Sequence, residues 1–194
     1  MNHTTRYSLL TLTLGSVLGV ALTGLPARSD VGTQVPLAIT GGHDTDPRDR
    51  GRPVVLVAAG LGVTADVFRD AFHNVHPAPP GQGGPTPDEA RRNKAVLLGA
   101  LAKYGVTNQR LDEVSNFYRY QRERDELWRH SAAAGYAVVR NGQVVSVKLS
   151  NTGAGYSSLP DVRVPGYPNA KLKAKVSFGT DLANNGSLSL ALTP

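Results

Sequence analysis

The sequence predicts an α+β protein, in which an N-terminal helical half of about four helices packs with a small C-terminal antiparallel β-sheet of about five strands. Before Gly135 the apolar residues recur with roughly the 3.6-residue period of a helix, and after it they alternate. No helix-period stretch separates the later strands, which argues against a parallel sheet. The expected divisions are a signal peptide (1–29), a polar arm (30–52), a helical region (53–134) and an antiparallel β-module (135–194).

Residues 1–29 have the three-part pattern of a cleavable secretory signal peptide. Arg6 supplies the positive charge, an uncharged run extends from Ser8 to Leu25, and Ala27-Arg28-Ser29 places small residues before a cut at Asp30. A run of about 18 residues is near the lower limit for spanning a bilayer, so a retained anchor is the alternative. The Thr, Ser and Gly residues within the run favour cleavage. We therefore expect an exported protein, located in the periplasm, at the cell surface or outside the cell.

The composition removes several kinds of chemistry. The 194 residues include no cysteine, which excludes disulfides, thiolate metal ligands, a cysteine nucleophile and an acylated-cysteine anchor. The net charge is +6, and removing Arg6 and Arg28 with the signal leaves a mildly basic mature chain. Such a charge permits contact with an anionic surface or polymer without requiring it. No later apolar run approaches membrane-spanning length, so we expect no membrane span unless the signal is retained as an anchor.

The mature chain is expected to begin with a polar arm followed by two short helices. Residues 30–52 are polar and rich in turn-forming types, so we expect a loop or an extended arm. Pro53 suits a first helical position ahead of an apolar run that ends at Leu61. Thr64 can cap a second helix, and the Pro/Gly-rich residues 77–87 form a linker.

Capping signals define the next two helices. Thr86-Pro87-Asp88-Glu89 is a capping box with Pro at the first helical position, and this helix should run to Tyr104. Thr107 or Asn108 caps a fourth helix. Its highly charged continuation should end at Trp128, which closes the helical half.

Five strands are expected after Gly135, separated by turn signals. Asn141-Gly142 joins the first two, because both residues tolerate the positive φ of a type I′ turn. The alternation of apolar and polar side chains indicates one buried face and one wet face. The strands are marked by Tyr136–Arg140, Val145–Leu149, Val162–Val164, Leu172–Phe178 and Leu188–Leu192.

Within this half, Asn141 to Val164 resembles a short β-module of bacterial surface proteins and phage tail or fibre proteins. The shared pattern is an Asn-Gly turn and alternating Val residues, followed by Gly-x-Gly-Tyr-x-x-x-Pro-x-Val, here Gly153 to Val162. The resemblance implies a structural module without catalytic residues, usually present in tandem but here present once. In it the glycines would make a sharp corner over which Tyr156 folds, and Pro160 would set the start of the next strand. The helical half carries no comparable resemblance.

Two basic patterns are candidate ligand contacts. One interleaves aromatic residues with Arg, which is a mixture that can stack on and neutralise nucleic acid. In an exported protein, an anionic polysaccharide or another envelope protein is the better candidate partner. The alternative is an amphipathic helix end whose Arg stems cover buried aromatics. The residues concerned are Tyr118, Arg119, Tyr120 and Arg122.

The second pattern is a stripe formed by Lys171, Lys173 and Lys175 on one face of a predicted strand. Lysines on an edge strand also prevent edge-to-edge aggregation, and we favour that interpretation. Tyr156, from the module described above, completes the set of candidate ligand contacts.

A weaker pattern indicates a metal site. His73-x-x-His76 has the spacing that allows two imidazoles to bind a metal from one helical face, although further ligands are needed. His43, Asp44 and Asp46 could supply them. The alternatives are that the two histidines are solvated at a helix end, and that the acidic residues pair with nearby arginines.

Three functional hypotheses follow. The leading one is an exported, non-catalytic binding or structural protein of the cell envelope or surface, without a cofactor. The second is a secreted hydrolase whose site is assembled from distant residues, although no Gly-x-Ser-x-Gly elbow is present. The third is a metal-dependent ligand-binding protein.

Overall fold

Helices and antiparallel strands occupy largely separate parts of the chain. The computed structural model describes residues 32–76, 84–119 and 126–193. Within them, four α-helices and seven strands are found, and most of the strands follow the helices. Every strand pair is antiparallel. The α+β class predicted from the sequence is therefore confirmed.

Three of the four helices begin where their capping residues predict, and the first begins at Val54, one residue after the Pro53 expected at its first position. The Thr64 side chain accepts a hydrogen bond from a first-turn backbone amide, and Thr86 with Glu89 forms both bonds of a capping box. Thr107, rather than Asn108, caps the fourth helix, because its side chain accepts a hydrogen bond from the backbone amide of Arg110. The helices are α1 (Val54–Gly60), α2 (Ala65–Phe72), α3 (Pro87–Leu101) and α4 (Asn108–Phe117).

The ends of the third and fourth helices differ from the prediction. Ala102–Tyr104 forms a 3₁₀ turn, so the third helical stretch reaches Tyr104 with a change of pitch. The fourth ends at Phe117, and Trp128 is not helical, so the predicted continuation to Trp128 is wrong. The difference is explained by a tertiary contact: Trp128 is buried, and its indole nitrogen donates a hydrogen bond to the carbonyl of Gly155.

The strands form three small sheets rather than the single sheet expected. The first has the order β1-β3-β4, the second pairs β2 with β5, and the third pairs β6 with β7. The predicted Asn141-Gly142 turn joins β3 and β4, with φ of 49° and 74°. The strands are β1 (Thr33–Pro36), β2 (Ala38–Gly41), β3 (Ala134–Arg140), β4 (Gln143–Asn151), β5 (Pro160–Arg163), β6 (Leu172–Ser177) and β7 (Ser187–Leu192).

The segment expected as a polar arm contributes two of these strands. β1 pairs with β3, with Thr33 opposite Val139, and β2 pairs with β5, with Ile39 opposite Val162. The expectation of a loop or extended arm at 30–52 is therefore wrong for residues 33–41. Both strands are only four residues long, and each depends on a partner from the far half of the chain.

One buried asparagine connects the helices to the last hairpin. The Asn185 side chain donates to the carbonyl of Leu56 at 2.8 Å and accepts from Gly179 N at 3.1 Å. Asn185 is 1% exposed, so these bonds satisfy polar atoms that water does not reach. The β-half thus meets α1 through a specific polar contact as well as through apolar packing.

Candidate functional site

The glycine corner predicted from the Gly-x-Gly-Tyr pattern is a tightly packed part of the β-half. Gly153 and Gly155 have φ of 63° and 81°, a conformation that L side chains rarely adopt. A Cβ on Gly155 would lie 2.7 Å from the Cβ of His130, and one on Gly153 would lie 2.7 Å from Ala133 N. Both positions therefore require glycine.

Tyr156 closes this corner from the inside. Its side chain is 3% exposed, and its hydroxyl accepts a hydrogen bond from Ala133 N at 2.9 Å. Gly155 N donates to the carbonyl of Asn185, and Tyr156 N donates to the carbonyl of Gly186. The Tyr156 ring is therefore used in holding neighbouring segments together, and it is not presented to a ligand. Pro160 begins β5, as the pattern predicts.

A pair of histidines lies against the corner. The His43 ring stacks on Tyr156 with 5.2 Å between centroids, and it is 4.6 Å from the His130 ring. His130 Nδ1 is 2.8 Å from the carbonyl of Trp128. The buried Nε2 of His43 has no hydrogen-bond partner among the described residues. Burial lowers the pKa of His43, and His130 lowers it further, while Asp44 and the Gly41 backbone oppose the shift.

The predicted metal ligands are not brought together. The second helix ends at Phe72, so His73 and His76 do not share a helical face, and both are exposed. His76 precedes Pro77, and the residue before a proline is pushed out of the helical conformation. Across residues 32–76, 84–119 and 126–193, no group of three or more His, Asp or Glu side chains is arranged to hold a metal ion.

The segment predicted as a polar arm contains acidic residues that pair with arginines, which was the alternative to a metal site. The Arg69 guanidinium binds Asp49 with two bonds of 2.8 Å, and Asp49 is 5% exposed. Arg48 donates to Asp46 and holds the pKa of that carboxyl well below its usual range. Asp44 accepts a bond from the Ser158 hydroxyl at 3.1 Å. These contacts attach the segment before α1 to α2 and to the corner.

The aromatic and arginine segment divides between core and surface. Tyr118 is 3% exposed, and burial raises the pKa of its hydroxyl. Arg119 is exposed and donates to Asn116 at 2.7 Å. Tyr120 and Arg122 lie outside the described residues. For Tyr118, the interpretation as a buried aromatic at a helix end is the one the structure bears out.

Lys171, Lys173 and Lys175 lie on one exposed side of the β6–β7 hairpin, which we call the lysine face. Lys173 is opposite Ala191 and Lys175 is opposite Ser189, so small side chains surround them. The intervening side chains of β6 point the other way, where Ala174 and Val176 pack on the core around Tyr156. No ion pair joins a lysine of this face to any residue in the described parts of the chain.

Sequence reasoning missed several residues that organise this region. Trp128 and His130 meet the corner from the segment after α4, and Asn185 meets it from the turn before β7. The only local signal was that Trp128 is the single tryptophan of the chain, since a lone large aromatic is usually buried. His130 carried no signal, and the Asn184-Asn185-Gly186 run indicated only a turn, because the partners of both residues are distant in sequence.

Among the described helices, none has both the length and the apolar character required to cross a bilayer. Comparisons with protein-family models, with curated proteins and with solved structures found no match.

Proposed function

We propose that this chain is an exported, non-catalytic binding or structural protein of the cell envelope or surface, and that it contacts an anionic partner through the lysine face. The observation that carries the proposal is the exposure of three lysines on one side of a hairpin, without an acidic partner among the described residues. Of the described candidate contacts, Tyr118 and Tyr156 are buried in internal packing.

The geometry of the lysine face suits an extended anionic chain. Alternate residues of a strand are about 7 Å apart, so the Cα atoms of the three lysines form a row about 14 Å long. Cross-strand neighbours are small, so they leave room for a ligand to approach the charges. A single ion pair at such an exposed surface contributes little binding free energy, but the attractions of several charges in a row add up.

The polar groups elsewhere support a non-catalytic role. Ser157 donates to the carbonyl of Asp44, and Ser158 donates to its carboxylate. Neither His43 nor His130 is hydrogen-bonded to a hydroxyl of a described residue, as a serine nucleophile and its base would require. A secreted hydrolase and a metal-dependent protein therefore have less support than a binding protein.

The location in this proposal depends on the signal-peptide pattern of residues 1–29, which lie outside the described residues. Expression of the whole chain in a bacterial host should yield an exported product that begins at Asp30. Mass spectrometry of the product measures this directly. A product that keeps Arg6 and remains with the membrane would instead indicate a retained anchor.

A binding assay tests the contact surface. Mature protein should bind immobilised polygalacturonate or an acidic glycan array, and changing Lys171, Lys173 and Lys175 to Gln should weaken binding by about tenfold or more. The matched control changes Arg92, Lys103 and Lys148 to Gln, which removes the same charge from other exposed positions. Equal losses in the two variants would show that only net charge matters and would remove the lysine face as the contact.

A further inference from the structure

The β6–β7 hairpin leaves one edge of β6 unpaired. Thr193 N donates to the carbonyl of Lys171 at 2.9 Å, so Lys171 and every second residue after it direct their backbone groups towards β7. The residues between them direct theirs the other way. The same alternation holds on β7, where Leu188 N points away from β6 and donates to the carbonyl of Thr152.

The outward backbone groups of β6 belong to Leu172, Ala174 and Val176. No residue in the described ranges forms a hydrogen bond with their N–H or C=O groups. β5 approaches β6, but the two strands belong to separate sheets and are not paired. β5 has four residues and β6 has six, so β5 covers part of this edge at most. The edge therefore offers a row of backbone donors and acceptors.

We propose that this edge of β6 binds an extended segment of a partner protein, which adds to the hairpin as a further strand and carries acidic side chains at alternate positions. The inference rests on the proposed function and names the partner of the same surface. Strand addition is an established way in which an open sheet edge recognises a peptide, with main-chain bonds giving affinity and alternate side chains giving specificity.

The lysine face determines which segment fits. Side chains of an added strand on that face would lie about 5 Å from Lys171, Lys173 and Lys175, a distance at which opposite charges stabilise and like charges destabilise a pair. A second copy of β6 would place lysines beside lysines, so self-addition is disfavoured. A polysaccharide could satisfy the charges, but it lacks the regular ladder of amides that the edge presents.

The test uses the mature protein and a synthetic peptide of alternating Glu and Val. The matched peptide has the same sequence with its central backbone nitrogens methylated, which keeps the charges and removes the donors. We expect the first peptide to bind and the methylated one to bind at least about tenfold more weakly. Changing Lys171, Lys173 and Lys175 to Gln should also weaken the first peptide, and added salt should do the same.

A protein variant gives an independent measurement. Ala174→Pro removes one outward donor without touching the bonds to β7, and proline is tolerated on such an edge. The Ala174→Pro variant should lose binding to the peptide while it keeps binding to polygalacturonate. If both peptides bind equally, or if neither binds while polygalacturonate still does, strand addition is overturned and the proposed function stands. If no anionic probe binds, the proposed function fails as well.

Discussion

Gly155 shows how much of the corner depends on a single residue. Its φ of 81° belongs to the left-handed region, and the space where a side chain would begin is already filled by His130 and by the carbonyl of Arg129. Two independent constraints, one on the backbone and one on packing, therefore meet at one position. The Gly-x-Gly-Tyr pattern in the sequence reflects both of them.

Gly155→Ala should reduce the free energy of unfolding by about 3 kcal/mol, because the left-handed conformation costs about 1–2 kcal/mol and the steric overlap adds to it. Urea denaturation followed by circular dichroism measures the change. Gly166→Ala is the matched control, since Gly166 has the same φ of 81° and open space around it. Equal losses in the two variants would show that packing at the corner contributes nothing.

His43 should make stability depend on pH. Its pKa is lowered in the folded state, so in acid the unfolded chain binds a proton more readily than the folded chain does. The contribution of His43 to the free energy of unfolding is therefore fully present above the pKa of about 6.5 that this histidine has in the unfolded chain. It falls as the pH decreases below that value, until the lower pKa of the folded state is passed. Urea denaturation at a series of pH values between about 7.5 and 5.5 measures the slope.

His43→Phe keeps an aromatic ring against Tyr156 and removes the titrating group, so it should flatten this slope. His76→Gln is the control, because it removes an exposed histidine from another segment. A slope that survives His43→Phe would mean that other groups cause the pH dependence.

At the scale of helices and strands, the sequence was most informative where structure is local. Thr64, Thr86 and Thr107 each cap a helix within three residues of themselves, so adjacent residues were enough to predict the three starts. β1 and β2 were missed because each is four residues long and its partner is a distant strand. The end of α4 was misplaced for the same reason, since burial of Trp128 against the corner is a tertiary effect.

The same contrast applies to the candidate site. The lysine stripe could be predicted from alternation alone, because a strand exposes every second side chain. The pairing of His43 with His130 could not, because it depends on how β2 and the segment after α4 approach the corner. The His73-x-x-His76 spacing was misleading because it required a helix that extends to His76, and α2 ends at Phe72.

The lysine face should also protect the open edge of β6. Changing Lys173 and Lys175 to Val would leave an apolar strand with an unpaired edge, and we expect self-association. Sedimentation velocity at increasing protein concentration measures it. The control places Val at Arg92 and Lys103, which are exposed on the third helical stretch rather than on a strand edge. If the variant with Val at positions 173 and 175 stays monomeric, the lysines do not protect the edge from self-association.

At the scale of the whole molecule, Asn185 connects the two kinds of secondary structure. It lies in the turn before β7 and bonds to α1 through Leu56. With no cysteine in the chain, stability depends on contacts of this kind and on apolar packing. The helices and the last hairpin should therefore unfold together rather than separately.

Asn185→Ala should reduce the free energy of unfolding by about 2–4 kcal/mol, because it removes two hydrogen bonds of a buried side chain, one to the carbonyl of Leu56 and one from the amide of Gly179. Differential scanning calorimetry would show one transition at a lower temperature. Asn184→Ala is the control in the same turn, since Asn184 is exposed and its side chain donates to Asp181 within that turn. Two separate transitions in the wild-type protein would contradict the coupling.

The burial of Trp128 has a practical consequence. It is the single tryptophan of the chain, and its indole nitrogen is bonded to Gly155 at the centre of the corner. Its fluorescence therefore comes from one known place, with His43 about 6 Å away. Trp128 is therefore an intrinsic fluorescent probe of the corner. A change in its emission during a ligand titration would show that binding at the hairpin alters the surroundings of the corner.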